Sequence, residues 1–254
     1  VSAADSMGAC PRHLEGAAVR SYTLDDFARM IDHTNLQPDA TREDMERLCD
    51  EAVRYHFRMV AINPVQSALC AKLLAGTDVH VGAAIGFPLG QISIASKVFE
   101  TKDSLSSGAN EIDYVVNLTE VKAGNWAYVE DEMRRVVAEC REVGATSKVI
   151  FENCLLTRDE KIALCDVASR VLPDFIKTST GFSTGGATVE DVRLMRTHAD
   201  ERVKVKAAGR IRDAETFLAM VSAGAERVGC TRSIPVMEGL KARMAADGVD
   251  HYDL

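Results

Sequence analysis

The sequence has no apolar run approaching the ~20 residues of a membrane span. Its seven cysteines are Cys10, Cys49, Cys70, Cys140, Cys154, Cys165 and Cys230, and none of them forms a C-x-x-C pair. No Cys/His cluster has zinc spacing, so no structural metal is expected. The thiols read as reduced and mostly buried, as in a cytoplasmic protein. Seventeen Gly and six Pro are too few for a low-complexity or collagen-like chain. Positive charge is in deficit: 30 Lys and Arg against 38 Asp and Glu leave a net charge of −8. That field repels nucleic acid and anionic membrane, so neither is an expected partner. A small phosphorylated ligand stays compatible, because one local site can be positive. Val1 to Gly16 lacks the apolar stretch of a signal peptide.

What is present is an alternation of two textures. Short β-branched runs cover Met30–His33, Met59–Ile62, Val79–Ile85, Glu111–Val116, Lys148–Phe151, Asp174–Thr178, Val203–Lys206 and Arg227–Gly229. Helical spacing fills Arg42–Tyr55, Val65–Leu74, Ser93–Ser106, Ala127–Val143, Arg158–Val171, Val189–Thr197 and Ala214–Ala223, and Ile234–Ala245 follows the last run. Thr41 with Asp44, and Thr157 with Glu160, have capping-box spacing. Gly108, Gly144 and Gly224 fall where helices should stop. Eight βα repeats predict an α/β chain folded as a single (β/α)8 barrel with a short extra N-terminal segment. A doubly wound open sheet is the alternative, weakened because no G-x-G-x-x-G follows an early run. Residues 1–20 are expected to be a disordered tail and 21–254 the one catalytic domain.

In such a barrel, chemistry sits at the C-terminal ends of the strands. Charge inside a doubly buried strand is unfavourable unless used or paired. Asp113 interrupts the fourth run, Lys177 lies near the end of the sixth, and Lys204 and Lys206 alternate with Val203 and Val205 in the seventh. The valines suit the helix-facing side, which turns both lysines inward. Lys177 and Lys206 then share one end of adjacent strands. Amine catalysis needs a neutral lysine, and with a free pKa of ~10.4 only about one in 2,500 is neutral at pH 7. A second ammonium at ~6 Å and an effective dielectric of ~20 destabilises the cation by about 2.8 kcal/mol, and burial adds to that. Two lysines and a carboxylate therefore suit a nucleophile, a tuner and a proton shuttle. A buried ion-pair network fits the same pattern.

Glycines cluster beside these strands: Gly181, Gly185 and Gly186 after the sixth run, Gly209 before Arg210, and Gly229 before Cys230-Thr231-Arg232-Ser233. They suit an anion site of backbone N–H groups, although each loop alone reads as ordinary. Asp32, His33 and Thr34 end the first run, and Lys148 and Glu152 frame the fifth. These read as packing or orienting groups. Trp126 reads as a packing residue at a helix start.

The segments Ile31-Asp32-His33-Thr34-Asn35-Leu36, Ile85 through Gly90, Gly108 through Asp113, Lys148-Val149-Ile150 with Glu152, Asp174 through Gly181, and Val205 through Gly209 together resemble the deoxyribose-phosphate aldolases. They occur in that family's order over roughly residues 24 to 245. The resemblance implies a metal-free and cofactor-free class I aldolase. Such an enzyme reversibly cleaves 2-deoxy-D-ribose 5-phosphate to D-glyceraldehyde 3-phosphate and acetaldehyde, with the C3–C4 bond expected to break. It implies that Lys177 forms the Schiff base, Lys206 tunes it, and Asp113 relays protons with Lys206 and a water. Thr180, Gly181, Gly209, Arg210, Gly229, Thr231, Arg232 and Ser233 are then the expected substrate and phosphate contacts, supported by Asp32, Thr34, Lys148 and Glu152. A homodimer is compatible with the family. The family's Gly-Gly after the seventh run is Gly209-Arg210 here, and its small hydroxyl residues after the eighth are replaced by Cys230-Thr231-Arg232-Ser233. Arg210 or Arg232 either adds a charged phosphate contact or points away. Tyr252 is expected in a disordered tail, with the alternative that its phenol swings over the barrel mouth.

Overall fold

The computed structural model describes residues 19–254. The disordered-tail expectation for residues 1–18 lies outside them, while Arg20 exchanges two backbone hydrogen bonds with Leu254. The elements, in chain order, are β1 (Ser21–Thr23), α1 (Leu24–Ala28), β2 (Ile31–Thr34), α2 (Arg42–Arg54), β3 (Met59–Ile62), α3 (Ser67–Leu73), β4 (His80–Ile85), α4 (Ile94–Ser106), β5 (Glu111–Val115), α5 (Leu118–Lys122), α6 (Trp126–Glu142), β6 (Thr146–Ile150), α7 (Arg158–Val171), β7 (Phe175–Lys177), α8 (Val189–His198), β8 (Lys204–Ala208), α9 (Ala214–Ser222), β9 (Arg227–Cys230), α10 (Ser233–Asp247) and β10 (His251–Asp253). Strands β2 to β9 close into an all-parallel barrel in sequence order, so the expected (β/α)8 architecture is the observed one.

Local chemistry explains the helix starts. Thr41 accepts from the Asp44 N–H while Asp44 accepts from the Thr41 N–H, and Thr157 and Glu160 do the same. Asn117 caps the unexpected short helix α5 through the Thr119 and Glu120 N–H groups. Asn125 caps α6 one residue earlier than its apolar spacing suggested, at Trp126. Strand alternation then sorts the side chains. Ile31, Val60, Ile62, Val81, Ile112, Val149, Ile176, Val205 and Val228 are buried among the helices in one continuous aliphatic core. Residues of the opposite parity fill the barrel.

Two glycines make room inside it. A Cβ on Gly82 would lie 2.3 Å from the Met59 sulfur, and one on Gly229 would lie 3.2 Å from Lys206 Cε. Lys204 has the inward parity of Lys206 but sits at the start of β8, where it is exposed with Nζ 5.7 Å from the Phe175 ring centroid.

The C-terminal residues differ from expectation. Tyr22 and Tyr252 are paired residues of the antiparallel β1–β10 ribbon. The Tyr252 ring lies 6.5 Å from that of Phe27, and its hydroxyl donates to Asp247 at 2.5 Å. Because α1 leads into the start of β2 and α10 ends at Asp247, this ribbon lies toward the N-terminal end of the barrel, beside α1. Tyr252 is thus an ordered strand residue facing away from the C-terminal mouth, held there by strand pairing and aromatic burial.

Candidate active site

The barrel interior is ionised. Asp32, Glu111, Asp113, Lys148, Lys177, Lys206 and Arg227 are all buried, and each charge is met by at least one opposite charge. Adjacent strands place Lys177 opposite Lys206 and Asp113 opposite Lys148. Lys177 Nζ and Lys206 Nζ each donate to Asp113 Oδ2 at 2.7 Å, and Lys148 Nζ donates to Asp113 Oδ1 at 2.7 Å. Lys148 also pairs with Glu111 at 2.5 Å, and Lys206 pairs with Asp32. Arg227 Nη1 donates to Asp32 at 2.7 Å and to Glu111 at 3.1 Å. His80 Nδ1 lies 2.7 Å from Glu111 Oε1.

These contacts set the ionisation. Burial lowers the Lys177 pKa; Asp113 pulls it back up, Lys206 pushes it down again, and it settles at about 8. Burial alone would raise Asp113, but Lys148, Lys177 and Lys206 hold it well below the usual carboxylate range. Burial likewise opposes the ammonium of Lys148, yet Asp113 and Glu111 raise its pKa.

Above Lys177 opens a cavity of about 760 Å³ at the C-terminal mouth, lined in part by Thr34, Lys177, Thr180, Gly181, Gly209, Arg210, Gly229 and Thr231. Glycine backbones meet on one side. Gly209, at φ +86°, would bring a Cβ within 3.2 Å of Gly186 Cα and 3.3 Å of Gly181 Cα, which packs the loops after β7 and β8 together. Glu152, two residues past the end of β6, accepts from the Thr180 N–H at 3.2 Å and from its hydroxyl, and so fixes the loop that carries Thr180.

The two arginine departures separate. Arg210 lines the cavity and is exposed. Its guanidinium donates to the Thr184 carbonyl and its φ is +63°, a conformation that suits the glycine found there in the resembling family. Arg232 is exposed and Ser233 buried, and neither lines the cavity. Ser233 Oγ instead lies 2.9 Å from His33 Nδ1, and His33 Nε2 lies 2.9 Å from Glu51. Burial pushes the His33 pKa down against the pull of Glu51. Among the described residues, no cluster of three or more His, Cys, Asp or Glu side chains is placed to hold a metal ion.

Reading the sequence residue by residue missed Glu111 and Arg227. A signal existed: Glu111 shares the inward parity of Asp113 two residues away, and Arg227 opens a run whose next inward residue is Gly229.

The fold and this charged interior mark a (β/α)8 barrel with a candidate site at its C-terminal mouth. Known proteins narrow the class. Residues 27–240 match the model of the DeoC/LacD family aldolases. A deoxyribose-phosphate aldolase from Lactobacillus acidophilus is 57% identical over 233 residues, covering 92% of this chain and 98% of that one. One from Bacteroides thetaiotaomicron is 47% identical over 223 residues, covering 88% and 94%. A tetrameric deoxyribose phosphate aldolase structure from Aeropyrum pernix superposes with a TM-score of 0.81 at 33% identity, covering 87% and 93%. The barrel alone is less telling, since orotidine 5'-phosphate decarboxylase from Pyrococcus horikoshii shares it at a TM-score of 0.57 and 15% identity, over 84% of this chain and 99% of that one. The chain belongs to the DeoC/LacD aldolase family, and it is an aldolase, a carbon–carbon lyase.

Proposed function

We propose that the enzyme reversibly cleaves 2-deoxy-D-ribose 5-phosphate to D-glyceraldehyde 3-phosphate and acetaldehyde through a Schiff base on Lys177. The observation that carries this reading is a buried lysine with a pKa of about 8 at the floor of a cavity, hydrogen-bonded to a carboxylate shared with a second lysine. At pH 7 such an amine is about 9% neutral, more than 200-fold above a free lysine. Neutral Lys177 adds to C1 of the open-chain aldehyde, and the carbinolamine loses water to give an iminium. The C3 hydroxyl gives up its proton, the C2–C3 bond breaks, and its electron pair flows into the iminium to form an enamine. Protonation at C2 and hydrolysis then release acetaldehyde and restore the amine. Carbon counting places the break at C2–C3, not at the C3–C4 bond first expected, because acetaldehyde carries away C1 and C2. Asp113 with Lys206 and a water moves the protons.

The substrate phosphate is assigned to the loops carrying Thr180, Gly181, Gly209, Gly229 and Thr231, with Arg210 as the added cation. The position of Arg210 on the cavity wall supports that role. Arg232 and Ser233, set off the wall, are assigned to the shell behind the site. Asp32, Thr34, Lys148 and Glu152 orient the reacting groups. A small phosphorylated sugar is the partner. The A. pernix relative is tetrameric, and this chain is read as self-associating too, with light scattering as the check. Among the described residues no helix is long and apolar enough to cross a membrane, and a cytoplasmic location is proposed from the unpaired thiols. The test is incubation with 2-deoxyribose 5-phosphate. Equimolar acetaldehyde and triose phosphate are expected, and Lys177→Met should form neither. Release of other products, or an active Lys177→Met, would overturn the assignment.

A further inference from the structure

The buried charges inside the barrel close on themselves. Starting from Asp113, contacts run to Lys148, to Glu111, to Arg227, to Asp32, to Lys206 and back to Asp113. Carboxylate and cation alternate at every step. Three negative and three positive groups make a neutral ring in which each member touches two opposite charges. Lys177 is the seventh charge. It hangs from Asp113 by a single contact of 2.7 Å.

We propose that Glu111, Arg227 and Asp32, none of which lines the cavity, are positioning residues that set the proton affinity of Lys177 by completing this ring, Arg227 favouring its neutral amine and the two carboxylates its ammonium. The proposal rests on Lys177 being the reacting amine.

In a medium of low dielectric the net charge of the ring governs the proton on Lys177. With the ring complete, a protonated Lys177 is a surplus cation in the barrel interior, and shedding its proton restores neutrality. The other three cations are each held between two carboxylates, so Lys177 is the one that yields. The lowered pKa of Lys177 beside the raised pKa values of Lys148 and Arg227 is consistent with this order.

The surroundings add little else. β5, β6 and β8 bring Asp113, Lys148 and Lys206 to Lys177. From β3, Met59 approaches Lys148 with its sulfur at 3.5 Å, and the adjacent Gly82 of β4 carries no charge. His80, also on β4, meets Glu111 from the edge of the network and is partly exposed. Glu152 is engaged with Thr180 on the loop side.

The test is the pH dependence of reductive trapping of acetaldehyde on Lys177 in charge-altered variants of the full chain. Glu111→Gln removes a negative charge, so the acid limb should move to lower pH. Arg227→Met removes a positive charge, so the limb should move to higher pH. Each shift is expected to be on the order of one pH unit. The double variant restores the balance and should return the limb toward that of the parent. A purely structural role would move neither limb in a sign-dependent way. If Arg227→Met does not fold, Glu111→Gln and Asp32→Asn both still have to move the limb down. Unmoved limbs, or shifts of the same sign for gain and loss of charge, overturn the ring. Absence of any adduct on Lys177 in the parent would instead overturn the Schiff-base reading itself.

Discussion

Replacing Lys206 by Met separates an electrostatic tuner from a mere packing residue. Lys177 Nζ and Lys206 Nζ both bond one oxygen of Asp113 at 2.7 Å, so the nitrogens lie at most twice that distance apart. A like charge at ~5 Å with an effective dielectric of ~20 is worth about 3 kcal/mol, or roughly two pH units. Removing it also leaves Asp32 and Asp113 less compensated, which favours the Lys177 ammonium further. From about 8 in the parent, the Lys177 pKa should therefore rise by about two units. The assay is the single-turnover rate of acetaldehyde adduct formation, trapped by reduction, from pH 6.5 to 10. Adduct formation stops before carbon–carbon cleavage and enamine protonation, and so bypasses those later proton transfers. At pH 7 the variant should be slower by about 100-fold. Above pH 8 the parent should level off while the variant keeps rising tenfold per unit, so the gap closes near pH 10. A deficit that stays constant across this range would refute the electrostatic role of Lys206.

Arg210→Gly should raise the KM for the phosphorylated substrate about 5-fold, the value of one exposed charge-assisted contact, and leave that for unphosphorylated deoxyribose unchanged. It should also raise Tm, because relieving φ +63° at a residue with a side chain returns about 1 kcal/mol. An unchanged KM for the phosphorylated sugar would place the guanidinium outside the binding site. Lys97→Met should destabilise the fold by about 3–5 kcal/mol in urea unfolding, since it strands a buried carboxylate. Lys97 Nζ lies 2.6 Å from Glu132 and both are fully buried, so a loss under about 1 kcal/mol would contradict that burial. Deleting Tyr252–Leu254 should lower stability by about 1–3 kcal/mol through the lost ribbon and the exposed Phe27 ring, with kcat within about twofold of the parent. A large fall in kcat would mean that the tail reaches the cavity.

Much of the fold was legible because parallel strands buried on both faces read as short β-branched runs, and because Thr41 and Thr157 announce their helices. The limits are equally physical. Asp174 reads as the start of a strand, yet its carboxylate accepts from the Ser147 N–H and hydroxyl at 2.8 Å, and β7 begins at Phe175. Helix α5 is five residues long and depends on the Asn117 cap, which is too little for periodicity to register. Tyr252 could not be placed, because its partner strand lies more than 200 residues away and three paired residues carry no pattern. The inward side chain of Lys206 followed from strand parity, and Lys177 stood out by its place near the end of the sixth run. Their partners did not, because which strands are neighbours across a closed barrel is a property of closure, and Asp32 meets Lys206 and Arg227 only when β2 joins β9. Arg210 and Arg232 were indistinguishable as letters, and only the turn after β8 turns one of them onto the cavity wall.

Whether Lys177 is the reacting amine is decided by incubating the enzyme with acetaldehyde, reducing with borohydride, and mapping the modified peptide by mass spectrometry. A single N-ethyl-lysine at Lys177 is expected, formed faster as the pH rises toward 8. An adduct on Lys206 or Lys148, or none on any barrel lysine, would contradict it.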